Sequence, residues 1–288
     1  MKPSSHSEHT SAAMPDIAAQ THAAAAGAGH KAAVSGSATT VVDTAADNTA
    51  KVQAASAADV AACSFAPIRE VMRDPVGYIG THRYALWLLY LPAYLLYFGM
   101  LQLRAVPAEA VHIIETPLDR MIPTIPAFFV PYAIWWLLFP GALVFFLFYG
   151  TRRDFLKLCF ILFGGYTICM VVYTVWPNGL TLREPLTGSD LFTLGVQWLR
   201  SIDPPRNVCP SMHVSSTIAI DIVVRQCSYL RPRTKNLETI IAVLICIATL
   251  FIRQHSIIDV ALGFAMSWLL YFVWKWAVEP KISESQAL

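Results

Sequence analysis

The chain has 288 residues, of which 56% are hydrophobic, 12% aromatic and 14% charged, with a formal net charge of +2. A soluble domain carries nearer a quarter charged residues, so an ordinary water-soluble globule is excluded. The small net charge gives no sign of a nucleic-acid partner, and none is expected; the apolar excess collects in runs of about twenty, the pattern of an all-α, multi-span membrane protein.

In chain order, residues 1–62 form an Ala/Ser/Thr-rich segment without Phe, Trp or Tyr. Such a segment cannot bury enough surface to offset its conformational entropy and is expected to be a disordered tail. Its His6, His9, His22 and His30 are expected to be solvated, and no compact hydrophobic stretch follows a basic start as in a secretory signal peptide. Residues 63–280 are expected to form one membrane domain, followed by a short cytoplasmic tail at 281–288.

Hydropathy gives six spans, a six-transmembrane-helix bundle, at approximately 84–103, 127–149, 155–176, 211–230, 237–253 and 256–277. The fifth is short, and the fourth carries Asp221 and Arg225. Alternation puts the amino-terminal tail, the 150–154 turn, the 231–236 loop and the carboxyl terminus on one side. That side and its helix ends collect Arg69, Arg73, Arg83, Arg152, Arg153, Lys157, Arg225, Arg231, Arg233, Lys235, Lys275 and Lys281. The opposite side has Arg104, Arg120, Arg183, Arg200, Arg206 and Arg253 and no lysine. The positive-inside rule makes the first side cytoplasmic, so both termini are expected there. The second face is then extracytoplasmic, periplasmic or lumenal.

The two long connections, 104–126 and 177–210, lie on that second face. "ETPLDRMIPTIP" has three prolines that forbid a plain helix, and "LFTLGVQWLR" reads as a short amphipathic helix at the lipid interface. Three polar clusters emerge on the same face: Arg183 in "WPNGLTLREP"; Arg206, Asn207, Ser211 and His213 in "PPRNVCPSMHV"; and Arg253, His255 and Asp259 in "FIRQHSIIDV".

The chemistry open to these residue types is specific. Imidazole is a competent nucleophile toward phosphorus if one nitrogen is free and the other keeps its proton. Asp259, four residues after His255, is expected one helical turn along the same face, where it would fix the tautomer and stabilise the imidazolium. His213 would protonate a leaving alkoxide. Ser211 is a natural cap of a helix whose free N–H groups suit an anion, and Arg183 and Arg206 would neutralise phosphate oxygens. Asn207 and Arg253 complete the candidate phosphate ligands. No cluster of carboxylates suits Mg²⁺, so neither a metal nor a cofactor is expected.

"CPSMH" and "QHSIID", with an upstream Arg-x-Pro, resemble the type 2 phosphatidic acid phosphatase superfamily, which shares its core with vanadium haloperoxidases. "IPTIPAFFVPYAIWW", "IDPPRNVCPSMHVS" and "TLFIRQHSIIDV" are closest to its inositol phosphorylceramide synthase and sphingomyelin synthase branch. The resemblance covers about 115–265. It implies that His255 is the nucleophile forming a phosphohistidine, Asp259 its partner, His213 the acid/base, and Arg183 and Ser211 phosphate ligands. A phospholipid or sphingolipid-type substrate follows.

Two positions depart from that family. Its phosphatases carry Lys seven residues before the first Arg, where this chain has Trp176, and Ser-Arg before the third-motif His, where it has Ala248 and Thr249. Fewer cations suit a phosphodiester better than a monoester, which leans to head-group transfer between lipids rather than hydrolysis. The rivals are a channel or transporter and a catalytically dead scaffold. Elsewhere bland roles are expected: an internal salt pair for Asp221 and Arg225, solvent for Asp119 and Arg120, none for His112, and lipid or belt positions for Trp135, Trp136, Trp268 and Trp274. With Cys63 upstream of the spans, Cys159, Cys169, Cys227 and Cys246 in or ending them, and Cys209 alone in a loop, no disulfide is expected.

Overall fold

In lipid an apolar run has no water for its backbone N–H and C=O groups and satisfies them internally as a helix. The computed structural model describes residues 66–281. The expected disordered tail with its four histidines, Cys63, and residues 282–288 lie outside the described residues. The principal elements are α1 (Ala66–Arg73), α2 (Pro75–Thr81), a 3-10 stretch (Arg83–Leu89) running into α3 (Tyr90–Leu103), β1 (His112–Ile113), α4 (Pro117–Met121), a 3-10 turn (Pro126–Phe128) leading into α5 (Phe129–Phe148), α6 (Arg152–Val175), β2 (Asn178–Gly179), α7 (Leu191–Ile202), α8 (Met212–Gln226), α9 (Pro232–Phe251) and α10 (Ile257–Val273) with a terminal π turn (Trp274–Val278).

Five of the described helical stretches are long and apolar enough to cross a membrane: Arg83–Leu103, Pro126–Phe148, Arg152–Val175, Pro232–Phe251 and Ile257–Lys281. That is consistent with an integral membrane protein. The expected fourth span is shorter than 211–230, because α8 has 15 residues and rises about 22 Å. It packs against α5, α6, α9 and α10, and eleven of its residues are buried. A helix walled by other helices has no need of an apolar surface. The expected short fifth span is instead a full-length helix, since α9 starts at Pro232, a residue suited to a helix's first turn. Its polar opening, Arg233 to Asn236, depresses hydropathy without preventing helix formation.

Between apolar helices in lipid, close packing and hydrogen bonds supply the attraction. A Cβ on Gly263 of α10 would come within 2.7 Å of the Ser211 carbonyl at the start of α8. The Ser267 hydroxyl on α10 donates to the Ser215 carbonyl (2.8 Å). Tyr90 and Tyr97 of α3 hydrogen-bond Thr167 and Thr174 of α6. Trp274, expected at the lipid boundary, is 2% exposed and lies against Phe160. Asp221 does pair with Arg225 (3.4 Å), within α8, and the five described cysteines are free thiols.

The two long connections meet at one end of the bundle. β1 and β2 pair in parallel, His112 opposite Asn178 and Ile113 opposite Gly179, and Gly179 bridges to Arg206. A Cβ on Gly179 would lie 2.6 Å from the Pro205 carbonyl, so this approach requires glycine. Asp119, expected in solvent, is 3% exposed. Its carboxylate closes a capping box with Thr116 and accepts from the Ile257 N–H (2.7 Å), tying the first connection to the start of α10. Arg120 pairs with Glu115 (2.6 Å) at the surface.

Candidate active site

Asn178 prepares the approach to α8. It is 1% exposed, and its Oδ1 accepts from the N–H groups of Val208 (2.9 Å) and Cys209 (2.8 Å). Its Nδ2 donates to the carbonyls of Trp176 and Cys209. One side chain thus serves four backbone groups of a buried loop that has no ladder of its own. Asn207 takes a left-handed conformation (φ 57°), which Asn tolerates, and its N–H donates to the Asn178 carbonyl. Ser211 then caps α8, its Oγ accepting from the Val214 N–H (3.2 Å). His213 follows in the first turn.

His255 arrives by a different device. The chain leaves α9 through Arg253 (φ 56°), and the N–H groups of Gln254 and His255 both donate to the Thr249 carbonyl. Ser256 caps α10 in a capping box with Asp259. His255 therefore precedes the helix, and it does not share a helical face with Asp259 as the four-residue spacing predicted. The Ser211 N–H donates to the Asp259 carbonyl (3.1 Å), locking the starts of α8 and α10 together.

The two imidazoles consequently meet: His213 Nδ1 is 3.3 Å from His255 Nε2. His255 Nδ1 is 3.5 Å from Asp259 Oδ2, ion-pair distance without hydrogen-bond alignment, and neither His255 Nδ1 nor Asp259 Oδ1 has a hydrogen-bond partner among the described residues. On the far side, the Tyr132 hydroxyl is 2.8 Å from His213 Nε2. Asp259 is fully buried and His255 is 6% exposed. A carboxylate beside Nδ1 of His255 favours the proton there and leaves the Nε2 lone pair free. The network then assigns Nδ1–H of His213 as donor to His255, and Tyr132 O–H as donor to His213 Nε2.

The expected phosphate ligands are differently disposed. Arg183 donates from Nη1 to the Asp203 carbonyl (2.5 Å), from Nη2 to Gln254 Oε1 and from Nε to the Arg253 carbonyl (3.3 Å), leaving only part of its five-donor fork uncommitted. Arg253, 6% exposed, donates to Thr124 Oγ1 and to the carbonyls of Ile122 and Leu182. It fastens both long connections to the turn that carries His255. Arg206 reaches the Gln102 carbonyl of α3 (3.2 Å). Ser211 is fully buried, with its hydroxyl used as the cap.

Sequence reasoning missed several neighbours. Arg200 of α7 donates to the carbonyls of Glu184 and Ile252, and its pKa is pushed down to about 10, by burial first and then by the charges of Arg183 and Arg253. Burial also lowers the pKa of Arg183. The Arg200 Nε and Gln254 Nε2 donors have no partner among the described residues. Trp135, expected in lipid, donates from Nε1 to Ser216 Oγ (2.8 Å), and its ring centroid is 4.3 Å from that of His213. His112 stacks on Trp176.

A cavity of about 210 Å³ adjoins these groups, lined by Tyr94 of α3, Tyr132 and Trp135 of α5, Met212 and His213 of α8, and Asp203. His213 is the imidazole that meets it; His255, Arg183 and Ser211 are not in its lining. Burial raises the pKa of Asp203, with Arg183 and His255 pulling the other way. The sequence signal for Asp203 was available in "IDPPRN", a carboxyl just ahead of the His213 segment. Tyr132 gave no signal among the aromatics around it. Among the described residues no group of three or more His, Cys, Asp or Glu could hold a metal ion.

No family model, no curated protein and no solved structure matches this chain.

Proposed function

We propose that the chain is an integral membrane lipid phosphatase or phosphotransferase of the type 2 phosphatidic acid phosphatase kind, leaning to head-group transfer between lipids. In this reading α8 is a sixth crossing helix, carried inside the other five, and the histidines face the extracytoplasmic side. The observation that carries the proposal is the 3.3 Å approach of His213 Nδ1 to His255 Nε2, with Asp259 behind His255.

The steps follow from the free atoms. His255 Nε2 attacks phosphorus, a P–N bond forms, and the bond to the leaving alkoxide breaks. His213 takes up a proton from solvent at Nε2 as the phosphate anion arrives, the Tyr132 hydroxyl turning to accept it, and passes its Nδ1 proton to that alkoxide. Water or a second lipid alcohol then attacks the phosphohistidine, gives its proton to His213, and regenerates His255. In the resting arrangement His213 occupies the nucleophile's lone pair, so substrate must displace that contact to reach phosphorus. The unpaired donors of Gln254 and Arg200, with the uncommitted part of Arg183, are the available partners for phosphate oxygens. The cavity, with walls from α3, α5 and α8, suits a lipid head group.

The test is to incubate purified protein with lipid mono-, pyro- and diesters, with and without inositol or diacylglycerol, and to identify products by mass spectrometry. A transferred head group is the expected product, with an acid-labile phosphoenzyme that disappears in His255→Ala. Free phosphate alone would favour hydrolysis, and equal turnover by His255→Ala would remove the mechanism.

A further inference from the structure

At the end of α8 remote from the histidines, α5, α8 and α9 enclose a groove of about 410 Å³ lined by Ile134, Leu138, Phe145, Ile220, Val224 and Glu238. Exposed Leu137 also lines it, so the groove communicates with the outer surface of the helices. From His213 to Val224 is about 17 Å along α8, which separates this groove from the histidine site.

Its only lining carboxyl is the anomaly. Glu238 is 9% exposed, and both its carboxylate oxygens are buried with no well-aligned hydrogen-bond donor among the described residues. The ionisable groups facing it are Asp221 and Arg225. Arg225 is committed to Asp221 (3.4 Å), as is the Thr239 hydroxyl. One guanidinium therefore stands against two carboxyls, and the group Glu238 meets is the Asp221 carboxyl, which can serve it only while one of the two holds a proton. Leaving a buried ionisable group unpaired in apolar surroundings costs several kcal/mol.

We propose that the groove binds a single-chain amphiphile, its alkyl chain along α5 and its protonated primary amine held by Glu238 with Asp221 alongside. An ammonium brings three N–H donors to the paired carboxyls and balances the second carboxylate. From Ile134 to Phe145 the groove follows about 17 Å of helix, room for a long alkyl chain. The proposal does not rest on the phosphoryl-transfer reading.

The probe is dodecylamine, protonated at pH 7.5, against dodecanol and dodecanoic acid. Binding to the full chain in a neutral maltoside detergent is read by native mass spectrometry and by Tm. The amine is expected to bind at least about tenfold more tightly than the alcohol, a difference worth about 1.4 kcal/mol, and to raise Tm. Glu238→Gln, nearly isosteric, should abolish that preference. Gly141→Leu fills the groove from a position whose added Cβ meets no heavy atom within 4 Å, and should weaken all three probes while the protein stays folded. Equal binding of amine and alcohol, or an amine preference that survives Glu238→Gln, would overturn the proposal and leave Glu238 as a protonated structural carboxyl.

Discussion

The most informative single perturbation is Tyr132→Phe. The hydroxyl sits 2.8 Å from His213 Nε2 in a residue that is fully buried. A hydroxyl can donate to a neutral imidazole and, by rotating, accept from an imidazolium. It therefore serves His213 before and after the proton transfer, and keeps the transferable proton on Nδ1, the nitrogen facing His255. Removing it takes the protein partner from a half-buried ring nitrogen at a cost of about 1–3 kcal/mol, which is roughly a 5- to 150-fold loss of kcat/KM if the cost falls on the transition state. The assay is turnover across lipid phosphate esters whose leaving alcohols differ in pKa. A general-acid role predicts that the loss is largest for poor leaving groups and nearly absent for an activated aryl ester. A loss of equal size for every leaving group, or none at all, would refute it.

Asp259→Asn removes the charge 3.5 Å from His255 Nδ1 and should lower kcat/KM by roughly ten- to a hundredfold, the worth of one adjacent carboxylate charge to the imidazolium, and less than His255→Ala; phosphoenzyme yield and turnover check both. Asn178→Ala leaves the buried N–H groups of Val208 and Cys209 unpaired, and about 2–5 kcal/mol of stability should be lost, read as a fall in Tm with activity declining in parallel. Burial raises the folded pKa of Asp203 above its ordinary 3.8, so the folded state binds that proton more tightly than the unfolded chain. Its contribution is complete below pH 3.8 and lost as pH rises through the folded value. Asp203→Asn should therefore raise Tm at pH 7 and flatten the part of the profile above pH 3.8; a lower Tm at pH 7 would contradict it.

The helical, membrane-suited character was legible because hydropathy reports how well a segment tolerates lipid. The same property misjudged α8 and α9. A central helix faces other helices, as Ser215 and Ser267 show, and the first turn of α9 is polar without ceasing to be helical. The three polar segments were legible as well, because sequence order and alternation suffice to bring them to one end. Their internal roles were not. Arg253 looks like a phosphate ligand on residue type alone, yet its donors fasten loops; the exception is Ser211, whose cap was readable from its place just ahead of the helix.

Residue type and spacing by themselves grouped His255 with Asp259, four residues on, and the alternation of spans put His213 at the same end, since the first is a local relation and the second follows from chain order. Only the tertiary structure decided that His255 stands outside its helix, that His213 is the ring meeting the cavity, and that Tyr132, Asp203 and Gln254 join them. Those contacts bridge α5, α8 and the segments before α8 and α10, and a pairing across separate elements depends on how their surfaces pack, which no periodicity along one chain records.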